Sequence, residues 1–165
     1  MKIKYAVGAL VVATAASFLM GRMTAENTAV LHQETTDNLS SAMHGEAFAF
    51  AKYMLYAEHA RQTDHPELAD LFSKNAHTER FEHFAEEAKL AGLVKSDEEN
   101  LRDAIQGETY EFEHMYPDFA SKAKAAGDTS AADRFLEIRK DEGSHRDGFQ
   151  AALDNLQKSM EGSGH

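Results

Sequence analysis

Asn100–Pro117 reads NLRDAIQGETYEFEHMYP. At helical periodicity Leu101, Ile105, Glu108, Phe112, Met115 and Phe119 share one stripe. The stripe is apolar except for Glu108, and Glu111 lies one turn further along the same side. A carboxylate turned toward a core is costly unless it is paired or bound to a metal. Two of them, three residues apart on one face, call for a cation.

Three more helices surround this stretch. The first is predicted from about Asp37 to Gln62, with Leu39, Met43, Glu46, Phe50, Tyr53 and Ala57 on its inner stripe. Asp64-His65-Pro66-Glu67 starts the second, which runs to about Ala91 before Gly92 closes it. Ser96-Asp97-Glu98-Glu99 is a capping box for the third, which ends near Gly127. Asp128-Thr129 caps the fourth, which runs to about Met160 with Phe135, Ile138, Glu142, His145, Phe149, Leu153 and Leu156 on its stripe. The domain is therefore predicted to be an all-α four-helix bundle over residues 38–160, with a lead-in at 26–37 and a loose tail at 161–165.

The two halves repeat. Asn38-Leu39-x-x-Ala42-x-x-Gly45-Glu46 matches Asn100-Leu101-x-x-Ala104-x-x-Gly107-Glu108 at an offset of 62, and Phe72 and Glu79 match Phe135 and Glu142 at an offset of 63. Glu82 then corresponds to His145. Each half is a helical hairpin with a Glu on its first helix and an E-x-x-[E/H] pair on its second. The inward-facing set is Glu46, Glu79, Glu82, Glu108, Glu111, Glu142 and His145. Carboxylates on all four helices together with E-x-x-H form the pattern of di-iron or di-manganese bundles, in which two divalent ions share bridging carboxylates. Such ligation suits iron and also manganese.

Composition narrows the classes further. The chain has no Cys, which excludes disulfides, zinc-thiolate sites and iron–sulfur centres within these 165 residues. Its formal charge is −11, and residues 26–165 carry 14 basic against 28 acidic groups, because Lys2, Lys4 and Arg22 all precede them. That balance argues against nucleic acid as a partner. Residues 1–25 read as a basic start followed by an apolar run from Tyr5 to Met20, which is either an export signal or a membrane anchor. Either form places the protein in the periplasm or cell envelope.

Gly107-Glu108-x-x-Glu111 followed by Met115-Tyr116-Pro117 resembles the second half of a rubrerythrin, and Asn38–Glu46 with Tyr53 resembles its first half. The resemblance covers about Asn38–Leu156. It implies a ferritin-like di-iron bundle that reduces hydrogen peroxide, some relatives being ferroxidases. Carried over by position, Glu79 and Glu142 bridge the metals, Glu46 and Glu111 bind one iron, and Glu108 and His145 bind the other. Tyr53 and Tyr116 lie within hydrogen-bonding reach of ligating carboxylates. No catalytic residue beyond the metal ligands is implied.

Three features depart from that family. Glu82 stands where the pattern has the His of E-x-x-H, and the adjacent His83 replaces it only if the helix register shifts. With Glu82 as ligand, six carboxylates balance two ferric ions but exceed two ferrous ions by two charges, which favours the oxidised state. The rubredoxin module is missing, so electrons come from a separate donor. The leading segment implies export. Of the remaining histidines, His44 and His114 lie near the inner acids and are candidates to orient a ligand.

Three functions fit this set. One is a peroxidase served by an external donor. The second is a ferroxidase that oxidises Fe²⁺ with dioxygen or peroxide. The third is a non-catalytic iron carrier. The linker Gly92–Glu98 also bears on assembly. It reaches at most about 25 Å, whereas the crossover of a ferritin-like bundle spans about 30 Å here. The expectation is a homodimer in which residues 38–91 of one chain pack on 100–156 of another, or else a strained crossover within one chain.

Overall fold

The computed structural model describes residues 30–162. The leading segment 1–25 and residues 163–165 of the expected tail lie outside the described residues. Among the described residues no helix is long and apolar enough to cross a membrane.

The architecture is all-α and consists of four long helical rods, two of which contain a short π-helical turn. The first rod is α1 (Gln33–Gln62). The second is α2 (Pro66–Thr78), a π-helical turn Glu79–His83 and α3 (Phe84–Ala91). The third is α4 (Asp97–Tyr110), a π-helical turn Glu111–Met115 and α5 (Tyr116–Ala126). The fourth is α6 (Thr129–Gly162).

Local chemistry sets these ends. Asp64 takes a positive φ of 59°, which Asp tolerates, and the His65 N–H reaches back to the Ala60 carbonyl at 2.9 Å, so the chain reverses before Pro66 opens α2. Gly92 and Gly127 close their helices in the left-handed region, at φ 61° and 89°. Ser96 forms the expected capping box with Glu99. α1 begins at Gln33, ahead of the expected Asp37, and the Gln33 amide donates to Asp37 at 2.8 Å across that added turn. α6 likewise continues through Gly162, into the expected tail.

Packing is confined to the two hairpins. α1 lies along α2, the first π-helical turn and α3, whereas α6 lies along α4, the second π-helical turn and α5. Mostly small residues form the seams: Ala57, Ala60, Ala69, Ala76 and Ala88 are buried in the first hairpin, and Ala120, Ala132 and Gly143, with the larger Leu153, in the second. They allow close approach of the helix backbones. No aromatic side chain is buried among the described residues. No packed pair of elements joins the first hairpin to the second there; only the connection 92–96 does.

The hairpins are copies of each other in detail. Tyr53, Tyr56 and Phe72 form an aromatic trio with ring centroids 6.4, 6.1 and 5.3 Å apart. Tyr116, Phe119 and Phe135, each 63 residues later, form the same trio at 6.3, 6.2 and 5.6 Å.

Candidate metal centre

Two groups of ligating side chains lie at matching places in the hairpins. In the first, ligand atoms of Glu46, Glu79 and His83 lie within 4.8 Å of one another, and in the second those of Glu108, Glu142 and His145 do so. His83 Nδ1 is 2.8 Å from Glu79 Oε2 and 3.8 Å from Glu46 Oε2. His145 Nδ1 is 2.9 Å from Glu142 Oε2 and 3.7 Å from Glu108 Oε2. The two half-sites are congruent within a tenth of an ångström at these contacts.

The backbone produces this congruence by different routes. α6 is regular, so Glu142 and His145 meet at i, i+3. In the first hairpin the π-helical turn Glu79–His83 holds one extra residue, so Glu79 meets His83 at i, i+4. Glu82 is exposed and does not join the group. The structure thus brings His83 to the place expected of Glu82. Between them the two groups hold four carboxylates and two imidazoles. A signal for this was present in the numbering. Glu46 and Glu108 are 62 apart, the aromatic trios and Glu79 with Glu142 are 63 apart, and His83 and His145 are 62 apart again. Each change of offset falls on a π-helical turn, Glu111–Met115 in the second hairpin and Glu79–His83 in the first.

The second π-helical turn is braced from α6. Arg139 donates from Nε to the Phe112 carbonyl at 2.8 Å. The guanidinium groups of Arg139 and Arg146 lie 4.5 and 4.8 Å from the centroid of the Phe112 ring. Gly143 makes room for that ring.

Electrostatics within each half-site favour a cation. A side-chain hydrogen bond shared with Glu79, then burial, holds the Glu46 carboxyl above its usual range. Burial, then a shared hydrogen bond with Glu142, does the same to Glu108. The bond to Glu79 raises His83, and the bond to Glu142 raises His145. Oε2 of Glu108 is buried without a hydrogen-bond partner. Carboxylates forced together, with an orphaned oxygen among them, fit a divalent metal that takes the place of shared protons. The oxygen and nitrogen donor set suits iron.

The remaining expected residues fall as follows. Glu111 is half-buried and outside the group, but its charge acts on Glu108 and Tyr116. Tyr116 is half-buried, and burial followed by the Glu111 charge raises its hydroxyl above the usual range. Tyr53 is half-buried and stacks on Phe72. His44 is exposed and bonds to the Ser40 carbonyl at 2.6 Å, while His114 is exposed and lies over Tyr110. Neither joins a half-site. One residue was missed by the sequence reading. Glu87, one turn beyond His83, has a buried Oε2 without a hydrogen-bond partner, and its charge acts on Glu46. Its i, i+4 spacing from His83 was the available signal.

The rubrerythrin family profile matches residues 37–153. Rubrerythrin of Porphyromonas gingivalis is 30% identical over 148 residues, covering 82% of this chain and 74% of that protein. Nigerythrin of Nitratidesulfovibrio vulgaris is 30% identical over 135 residues, covering 74% of this chain and 67% of that protein. Among solved structures, fully reduced, all-ferrous nigerythrin is 28% identical, with 94% of this chain and 81% of that chain covered and a TM-score of 0.39.

Proposed function

This chain belongs to the rubrerythrin family of ferritin-like di-iron proteins, and from that membership we propose that it is a peroxidase of the cell envelope, reducing hydrogen peroxide to water with electrons from a separate donor. The observation that carries the reading is the pair of congruent half-sites, each with two carboxylates and an imidazole. Together they offer six ligands, and their four carboxylates neutralise two ferrous ions.

Two iron ions, when bound, supply two electrons together and the Lewis acidity that polarises the peroxide bond. The protein side holds the ligands and manages protons. Glu79 fixes the ring of His83, and Glu142 fixes that of His145. Tyr116 keeps its phenolic proton at neutral pH and stands among Glu108, Glu111 and Glu142 as a neutral donor. The 165 residues hold no Cys, so no thiolate iron centre lies within them and the electrons come from outside this stretch. The envelope assignment rests on the apolar run Tyr5–Met20.

The test mixes anaerobic diferrous protein with substoichiometric peroxide and follows the visible spectrum. One peroxide should oxidise both irons of a centre, faster than dioxygen does, and addition of a reductant should restore the cycle. Oxidation that proceeds only with dioxygen, or iron that leaves the protein as ferric mineral, would make it a ferroxidase. A single oxidation that no reductant reverses would make it a carrier.

A further inference from the structure

The second π-helical turn has a backbone deficit that the first lacks. In a regular helix the Phe112 carbonyl would accept the N–H of Tyr116, four residues on. Here that N–H goes to the Glu111 carbonyl, five residues back. The wider turn would pass the Phe112 carbonyl to residue 117. That residue is Pro117, which has no N–H. An interior carbonyl left without a donor costs stability. Arg139 supplies the donor, its Nε lying 2.8 Å from the Phe112 oxygen in a part-buried contact.

The first hairpin has no such device. At the 63-residue offset of the aromatic trios, Met54 stands at the place of Pro117 and Ala76 at that of Arg139. α1 runs as an unbroken α-helix through Met54, and Ala76 is fully buried in the seam beside it. The π-helical turn of that hairpin lies on the other rod. There Phe84 donates to the Glu79 carbonyl, and the next residue, Ala85, keeps its N–H. A side-chain donor is therefore needed only in the turn that Pro117 follows.

Spacing shows what the turn places. From Glu46 to Tyr53 is 7 residues, about 20° short of two full rotations of an α-helix. From Glu108 to Tyr116 is 8, which would leave the pair about 80° apart. The extra residue in the turn absorbs the difference, so Glu108 joins its half-site while Tyr116 joins its aromatic trio. Glu111 opens the turn, and its charge acts on Glu108 and Tyr116. A turn that slid along the helix would swing one of these side chains by about 100°. We infer that Arg139 is a positioning residue: it stands in for the N–H that Pro117 lacks, pins the second π-helical turn, and so fixes Glu111 and Tyr116 beside the second half-site. This role deepens the proposed function and rests on its metal centre.

Three full-length variants test it: Arg139→Met, Pro117→Ala and the two combined. Amide hydrogen exchange of the apoprotein over residues 111–117 is the first readout. Arg139→Met should speed exchange there at least about tenfold, because an orphaned carbonyl opens the turn. Pro117→Ala returns a backbone donor. Adding Arg139→Met to it should then cost only the contact with the Phe112 ring, about two- to fivefold. Equal losses in the two backgrounds, or none in either, would overturn the inference. Fe²⁺ affinity by anaerobic chelator competition is the second readout. It should fall about tenfold in Arg139→Met and return in the double variant. Faster exchange with unchanged affinity would reduce Arg139 to a structural brace and overturn the positioning role. If Arg139→Met fails to fold, the double variant should still fold and bind iron, and its failure as well would overturn the inference. A wild-type chain that binds no Fe²⁺ would sink the proposed function alone, because the exchange measurements are made without metal.

Discussion

Replacement of His83 by Ala separates the two candidate ligands of the first half-site. His83 Nδ1 lies 2.8 Å from Glu79 and 3.8 Å from Glu46, so the substitution leaves that half-site with two carboxylates. Changing a residue that merely orients a ligand costs about 10–100-fold in metal affinity. Loss of a ligand itself falls at the upper end, about 100-fold, or about 2.7 kcal/mol. Glu82→Gln removes a charge from an exposed side chain outside the group, and its effect should stay within about threefold. Anaerobic competition for Fe²⁺ against a chromophoric chelator measures both. A tenfold or larger loss in Glu82→Gln, with His83→Ala near wild type, would refute the assignment of the π-helical turn as the device that presents the ligand.

Deletion of Glu82 should be tolerated, because it converts Glu79-x-x-x-His83 to the three-residue spacing of Glu142 and His145 and lets the π-helical turn relax to a regular helix. Loss of helicity or of bound iron in that deletion would contradict this. Gly143→Ala should destabilise the apoprotein by about 1–3 kcal/mol in urea titration, since the new methyl meets two Phe112 ring atoms at 3.0 Å and two guanidinium groups hold that ring. Ser96→Ala should cost about 1 kcal/mol by the same assay through loss of the capping box. The metal-free protein should lose stability as pH rises above the ordinary carboxylate value of 4.5 and again above the ordinary imidazole value of 6.5, because Glu46, Glu108, His83 and His145 all bind protons more tightly folded than unfolded. Their contribution is present below the unfolded values and fades as pH rises through the folded ones. Glu98 and Glu99 are shifted down by Arg102 and Ser96 and act oppositely, losing stability as pH falls below the usual carboxylate range. Iron loading should flatten the first slope and release protons, and denaturation midpoints across that range check it.

Much of this was written in local sequence. Pro66, Gly92, the Ser96–Glu99 box and Gly127 punctuate the helices within a few residues, because caps and breakers act through their own backbone. The repeat also picked out Glu46, Glu79, Glu108, Glu142 and His145, which fall into the two half-sites, since a fixed helical period places them on matching faces. The choice between Glu82 and His83 was a different kind of question. A reading at 100° per residue assumes an unbroken α-helix, and one residue added inside a π-helical turn rotates everything after it. His83 therefore joins Glu79 only where the three-dimensional backbone absorbs the extra residue. The same holds for Glu87, whose buried oxygen is visible only once α3 is laid against α1. Periodicity and capping are properties of neighbours along the chain, and they specified four helices and their acidic faces. Which imidazole meets which carboxylate, and that the two hairpins leave each other's half-sites open, depend on angles and distances summed across whole helices.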